Sequence, residues 1–180
     1  MHKKTALIGM SGGVDSSVAA WLMLQQGYHC IGGTMHLHDH GCGGNNDLQD
    51  AKAVADRLGI DHHIFAFQPE FDEMVIRRFV NAYESGITPN PCISCNRHLK
   101  FGAMLRQALD MGCDYVVSGH YAQIRQDPDT GRFLLYKAAD KAKDQTYFLA
   151  DLNQHQLSHI CFPLGALTKA EVRHIAEENC

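Results

Sequence analysis

Apolar and polar positions fall along this chain in blocks that switch between two periods. Ala6-Leu7-Ile8-Gly9-Met10 is a short continuous apolar run, the pattern of a strand buried on both faces. Beyond it, Val14, Val18, Trp21 and Leu22 recur at helical spacing, and Gly27 supplies a stop. Tyr28 to Met35 predicts a second strand, and His36 to Asn46 a polar, glycine-rich loop. Leu48, Ala51, Val54, Ala55 and Leu58 predict a helix stopped at Gly59. Ile60 to Phe67 reads as a third strand, and Phe71, Met74, Val75, Phe79 and Tyr83 line a longer helix. Gly86 to Cys95 contains Pro89 and Pro91 and predicts a loop.

The alternation continues to the end of the chain. Leu99, Met104, Leu105, Ala108 and Leu109 predict a helix ending near Gly112, and Asp114 to Ser118 a fourth strand. Tyr121 to Arg125 and Arg132 to Tyr136 flank Asp127-Pro128-Asp129-Thr130-Gly131, which reads as a β-hairpin. Thr168-Lys169-Ala170-Glu171 fits a capping box opening a helix with Val172, Ile175 and Ala176 inside. Alternating strands and helices give an α/β fold, a doubly wound, Rossmann-like parallel sheet with a small hairpin and C-terminal helices. Ligands in such folds bind at the carboxyl ends of the strands. The glycine loop after the first strand, the 36–46 loop and Gly119-His120 all fall at that edge.

The chemistry begins at Ser11-Gly12-Gly13-Val14-Asp15-Ser16-Ser17, between the first strand and the first helix. Glycines let the backbone approach a phosphate with no Cβ in the way. Amides at the helix start, with the serine hydroxyls, hold the anion. Asp15 makes sense there if a magnesium ion lies between its carboxylate and the phosphates. No lysine follows the glycines, so this is not the Walker pattern.

The second signal is Thr88-Pro89-Asn90-Pro91-Cys92-Ile93-Ser94-Cys95-Asn96. Cys95 is expected near the start of a helix, where the dipole and Arg97, His98 and Lys100 favour a thiolate nucleophile. The C-x-x-C spacing equally suits a shared metal or iron–sulfur cluster, or two structural thiols.

Composition adjusts this picture little. The chain has 180 residues, 45% hydrophobic and 20% charged, ordinary for a globular domain. Its apolar runs are far short of a membrane span, and a cytoplasmic protein without membrane partners is expected. Seven cysteines is an odd number, and Cys30, Cys113 and Cys161 fall in apolar stretches, so buried thiols rather than a disulfide framework are expected. A net charge of −4 argues against charge-driven nucleic-acid binding but leaves room for a local basic face at Arg97–Arg106 or Lys137–Lys143. His36, His38, His40, Asp39 and Cys42 cluster in sequence without a matching second half of a zinc site, and read as a polar loop.

The Ser11–Ser17 heptad resembles the PP-loop of ATP pyrophosphatases, which split ATP between the α and β phosphates. The chain as a whole resembles the catalytic domain of the tRNA-uridine 2-sulfurtransferases (the tRNA-specific 2-thiouridylase, MnmA/TrmU family). Five blocks carry the resemblance in order: Gly9 to Ser17, Gly86 to Phe101, Gly119-His120-Tyr121, Lys143 to Leu149, and Phe162 to Gly165 with Val172-Arg173. The resemblance implies a two-step reaction. ATP adenylates the C2 carbonyl oxygen of a tRNA wobble uridine, and sulfur then displaces AMP.

It also implies roles. Gly9, Met10, Ser11, Gly12, Gly13, Val14, Asp15 and Ser16 would bind ATP with Mg2+, with Met35 and Gly119 on the adenosine. Asn90, Pro91 and Cys92 would meet the target base, Cys95 would be the nucleophile, and His120, Lys143, Asp144 and Gln145 would contact tRNA. The implied partners are tRNA and a persulfide sulfur-donor protein, not DNA. Residues 1–150 would form the ATP-binding catalytic domain, and 151–180 the start of a helical tRNA-binding region.

Two departures from the family matter. Its commonest form has aspartate where this chain has Cys92, so the pair Cys92/Cys95 looks like a variant able to ligate an iron–sulfur cluster. The family also carries a further cysteine downstream that has no counterpart here, and Cys180 is not equated with it. The chain therefore reads as a fragment or as a short protein that needs a partner. Two other readings stay open: a PP-loop ligase or amidotransferase that adenylates a small molecule, and a nucleotide- or tRNA-binding module without complete catalysis.

Overall fold

The computed structural model describes residues 3–38 and 45–179. Strand β1 (Thr5–Gly9) lies at the centre of a five-stranded sheet, with Ala6, Leu7 and Ile8 wholly buried. It pairs in parallel with β2 (His29–His36) on one side and β4 (Tyr115–Val117) on the other. Strand β3 (His62–Ala66) extends the sheet beyond β2, so the strand order has its switch point between β1 and β4. A two-residue strand, Ile160–Cys161, closes the far edge beside β4 and has no signal in the sequence pattern.

The period of two along β1 separates two cores. Leu7 packs with Phe65, Leu99, Phe101 and Met104 on one face. Ala6 and Ile8 pack on the other with helices α1 (Val14–Gln25) and α2 (Asn45–Leu58), through Val18, Ala19, Met23, Ala51 and Ala55. A C-terminal helix, Lys169–Asn179, adds Val172 to that second core. Residues 151–179 thus belong to the same layered unit as the sheet. The capping box expected there is present: Glu171 Oε2 accepts from Thr168 N at 2.7 Å, and Glu171 N donates to Thr168 Oγ1 at 3.3 Å.

Helix α1 is buried over more of its surface than its apolar pattern implies. Ser16 and Ser17 are buried, whereas Val14 is 44% exposed at the loop end. Both hydroxyls turn inward onto Gly13 O, at 2.9 and 3.0 Å, so these small polar residues sit in the core without loss of a hydrogen bond.

After β3, helix α3 (Gln68–Phe71), a π-helical turn at Asp72–Ile76 and helix α4 (Arg77–Glu84) run on continuously. The loop that follows is shorter than predicted. It stops at Asn90, and helix α5 (Pro91–Cys95) leads through a π-helical stretch, Asn96–Ala103, into α6 (Met104–Asp110). Asn90 caps α5 by accepting from Cys92 N at 3.0 Å, and Pro91 takes the first position, where its missing N–H costs nothing. Pro91, which suggests a loop, is thus a helix start, whereas Pro89 stays in the loop.

The hairpin pairs β5 (Ala122–Gln126) with β6 (Phe133–Lys137), in the expected place. Helix α7 (Gln154–Ser158) follows a 3-10 turn at Thr146–Leu149, and the C-terminal helix is α8. No described helix is long and apolar enough to cross a membrane.

Candidate active site

The carboxyl ends of β1, β2 and β4 open into one cavity of about 450 Å³. Gly9, Met10, Ser11, Asp15 and Ser16 line it from the glycine loop, Met35 from β2, and Gly119 and His120 from the segment after β4. Cys92 and Cys95 line it from the helical run after Asn90, and Gln145 from the loop after the hairpin. Motifs more than 100 residues apart in sequence therefore share one space at the switch point.

The loop is built to offer amides. Met10 N donates to Gly33 O at 2.8 Å and Met10 O accepts from Thr34 Oγ1 at 2.9 Å, fixing the strand's exit. Gly12 turns the chain with φ +73°, and a Cβ there would meet Asp50 and, at 3.0 Å, Ala51 N. Glycine is required for both reasons: the left-handed turn and the close approach of α2. Gly13 stands at the N-cap, so the first-turn amides of α1 have no acceptor within the helix. With Ser11 they form a cradle for an anion. Gly119 also serves packing, since a Cβ there would lie 2.9 Å from Asp15 C.

Asp15 is not a bare carboxylate. Its Oδ1 accepts from Lys169 Nζ at 2.6 Å and from the Tyr121 hydroxyl at 2.9 Å. Burial, with the bond to Asp15, raises the Tyr121 pKa, so the phenol stays a donor. Lys169 lacks any signal at the glycine loop, because it lies 154 residues downstream. Asp15 retains 37% side-chain exposure, and it lines the cavity beside Ser11 and Ser16. Those residues suit a magnesium ion carried in with a nucleotide, which would supply charge neutralisation on the phosphates.

The cysteine helix differs from expectation. It starts at Pro91, so Cys92 rather than Cys95 stands in its first turn. Cys92 is exposed and Cys95 half-buried. Of the three expected cations, only Lys100 shares the cavity with Cys95. Arg97 pairs with Asp151 at 3.0 Å, and burial followed by Arg78 holds His98 below its ordinary pKa. Lys100 thus shares the cavity with Cys95, whereas the expected basic cluster is dispersed.

A buried glutamine that sequence reasoning overlooks keeps this helix in its widened form. Gln156 Nε2 donates to Arg97 O at 3.0 Å and Phe101 O at 2.8 Å, two carbonyls of the π-helical stretch, while its Oε1 accepts from Asn153 N at 3.0 Å. π-helical turns cost regular hydrogen bonds and concentrate at functional sites. Here the freed carbonyls are satisfied from α7.

The remaining expected nucleic-acid residues divide. Lys143 is exposed outside the cavity. Asp144 is spent on the loop itself, accepting from Ala138 N at 2.9 Å and Thr146 Oγ1 at 2.7 Å. Gln145 Oε1 accepts from Tyr121 N at 2.9 Å. His120 is 8% exposed, beside Phe101 and Phe162, and burial followed by Lys100 lowers its pKa to about 3. Asn90 and Pro91 do not line the cavity, and Asn90's acceptor is committed to its cap.

For an iron–sulfur cluster the donor set is incomplete. Cys92 and Cys95 are two thiols, and no group of three or more cysteine, histidine or carboxylate side chains able to hold a metal occurs among the described residues. Cys30 and Cys113 are buried elsewhere, and burial pushes Cys30 and Cys161 up to about 11. His40, Asp39, Cys42 and Cys180 lie outside the described residues.

A parallel sheet with a glycine loop and helix start at its switch point defines a Rossmann-like, PP-loop nucleotide-binding protein. Residues 4–180 match the tRNA methyl transferase HUP domain, and the chain belongs to that family. It is 48% identical to the tRNA-specific 2-thiouridylase MnmA of Clostridioides difficile over 99% of this chain and 51% of the relative. The same enzyme of Acetivibrio thermocellus is 47% identical over 99% of this chain and 52% of the relative. The chain thus spans about half the length of these curated relatives. Among solved structures, a "predicted subunit of tRNA methyltransferase" from Methanocaldococcus jannaschii has the same fold, with TM-score 0.59 at 16% identity over 97% of this chain and 75% of that one.

Proposed function

We propose that this chain carries the ATP-binding and sulfur-transfer centre of a tRNA-uridine 2-sulfurtransferase. The observation that carries the reading is the sharing of one cavity by the glycine-loop cradle and Cys95. An ATP held at Ser11–Ser16 would share that cavity with a base beside Cys95. The C2 carbonyl oxygen of uridine attacks the α-phosphorus of the ATP, and pyrophosphate leaves. C2 is now bonded to a good leaving group. The terminal sulfur of a Cys95 persulfide, charged by the donor protein, attacks C2 and displaces AMP; a second thiol then attacks the Cys95 sulfur of the C2–S–S–Cys95 link, forming a disulfide and freeing 2-thiouridine.

The chain's own groups have distinct tasks. First-turn amides of α1 and the Ser11 and Ser16 hydroxyls hold phosphate oxygens. Asp15 and Lys169 balance charge beside them. Lys100 lines the cavity with Cys95 and offers a positive charge to an incoming phosphate or sulfur. Exposed Lys143 offers a phosphate contact to the RNA, so binding rests on local cations and shape rather than net charge. A persulfide sulfur-donor protein supplies the sulfur. The small-molecule reading leaves Cys95 in the cavity without a role.

The test is to incubate the full-length protein with ATP, Mg2+ and unmodified tRNA and measure pyrophosphate. Release should depend on the RNA, and with a persulfide donor 2-thiouridine should appear in the digested RNA. Cys95→Ser should retain pyrophosphate release and lose 2-thiouridine. RNA-independent pyrophosphate release stimulated instead by ammonia would replace this reading with the amidotransferase one.

A further inference from the structure

The cavity contains one amide side chain whose acceptor is uncommitted. Asn96 follows Cys95 directly, is 3% exposed and lines the cavity. Its Nδ2 donates to Phe148 O at 3.0 Å. That bond fixes the orientation of the amide, because the flipped form would set two carbonyl oxygens against each other. Oδ1 therefore points away from Phe148. Among the described residues no donor meets it, yet it is not sealed from solvent, and the space adjoining Asn96 is the cavity. The other amide lining this space, Gln145, spends its Oε1 on Tyr121 N.

A lone acceptor beside the nucleophile has a chemical counterpart in the target base. Uracil and cytosine both carry a carbonyl at C2, so the attacked oxygen alone is present in either base. They differ at the adjoining ring atom: N3 of uracil carries a hydrogen, whereas N3 of cytosine carries a lone pair. N3 is bonded to C2, the atom that sulfur must reach from Cys95. Asn96 lines the same cavity as Cys95, so its acceptor is available to the ring atom that adjoins C2.

We propose that Asn96 is a specificity-determining residue that accepts a hydrogen bond from N3–H of the target uracil. The inference rests on the tRNA-uridine reading above. Cytosine would set its N3 lone pair against Oδ1 and leave that nearly buried acceptor without a donor. Sites built to hydrogen-bond one substrate group discriminate strongly against analogues lacking it.

The experiment uses the full-length protein, ATP, Mg2+ and stem-loop RNAs carrying uridine, cytidine or 3-deazauridine at the target position. The last keeps the ring size but replaces N3–H by C–H. Single-turnover pyrophosphate release is measured for wild type and Asn96→Ala. Wild type should prefer uridine over both alternatives by at least about tenfold, and Asn96→Ala should lose most of that preference by slowing uridine selectively. A purely structural role for Asn96 predicts equal slowing on all three RNAs with the preference unchanged, and that result overturns the proposal. Equal wild-type rates on uridine and 3-deazauridine overturn it without recourse to the variant, should Asn96→Ala fail to fold. Absence of any RNA-dependent release by wild type would instead bring down the proposed function itself.

Discussion

Lys169 Nζ sits 2.6 Å from Asp15 Oδ1, joining the first turn of α8 to the first turn of α1 across 154 residues of sequence. The lysine is 22% and the aspartate 37% exposed at the side chain, so the pair is neither a surface ornament nor a sealed one. Of the two, Asp15 lines the cavity, beside Ser11 and Ser16. On the proposed function, Asp15 would turn to the metal and Lys169 to a phosphate oxygen when Mg–ATP enters, each exchanging one opposite charge for another.

Asp15→Ala and Lys169→Met should therefore both weaken Mg–ATP binding. Loss of the carboxylate should cost at least about 2–3 kcal/mol of binding free energy, with the fold retained. The two losses should be non-additive, because each variant leaves the other's partner charged and alone. Calorimetric titration of the single and double variants checks this. Wild-type affinity in Asp15→Ala would remove the glycine loop from the ATP site.

Gln156 is the next test. Replacing it with alanine strips donors from Arg97 O and Phe101 O and the acceptor from Asn153 N in a side chain that is 7% exposed. Unsatisfied buried carbonyls cost roughly 1–3 kcal/mol each, so Gln156→Ala should destabilise the protein by about 2–4 kcal/mol. The helix bearing Cys95 should also lose hydrogen-exchange protection around residues 97–103 before the sheet does. Unchanged protection there would mean that the π-helical stretch supports itself.

The sheet and the glycine loop were legible in sequence because their signals are local. The buried run at Ala6–Ile8, the glycine stops at Gly27 and Gly59 and the capping box at Thr168 each need only a few neighbouring residues. The cysteine segment misled for the same reason. Pro89 and Pro91 signal a break, and a proline at the first helical position looks identical until the Asn90 cap is seen. Lys169 and Gln156 were beyond reach because their partners are set by tertiary packing, at sequence separations of 154 and 55–59 residues. His120 was legible as a residue at the strand edge, but its burial against Phe101 and Phe162 was not.

Thiol reactivity should follow environment. Cys92 is exposed in the first turn of a helix, Cys95 is half-buried and lines the cavity, and burial raises the pKa of Cys30, Cys113 and Cys161. Alkylation read by peptide mapping should label Cys92 first and Cys95 next, and leave Cys30, Cys113 and Cys161 intact until the protein unfolds. Added Mg–ATP should slow Cys95 more than Cys92. Labelling of Cys161 as fast as Cys92 in the native protein would contradict the burial of the sheet edge.

Stability should fall in mild acid, and the sign follows from His120. Burial, with Lys100 adding repulsion, holds its imidazole neutral down to about pH 3, whereas the unfolded chain protonates it near 6.5. Between those values the unfolded state binds the extra proton. Stability is therefore full above pH 6.5 and falls as pH drops towards 3. From pH 7 to pH 5 the loss from this one group should be roughly 2 kcal/mol. His62 and His98 are lowered in the same direction, so they add to the decline. Asp127, Asp140, Asp144 and Glu171 have lowered values, and their stabilisation is lost as pH falls below about 4.5, beneath the pH 7 to 5 interval. Urea midpoints at pH 7 and pH 5 should fall less for His120→Gln than for wild type, because the variant has no imidazole to protonate on unfolding. Parallel declines in the two proteins would show that His120 is not held neutral in the folded state.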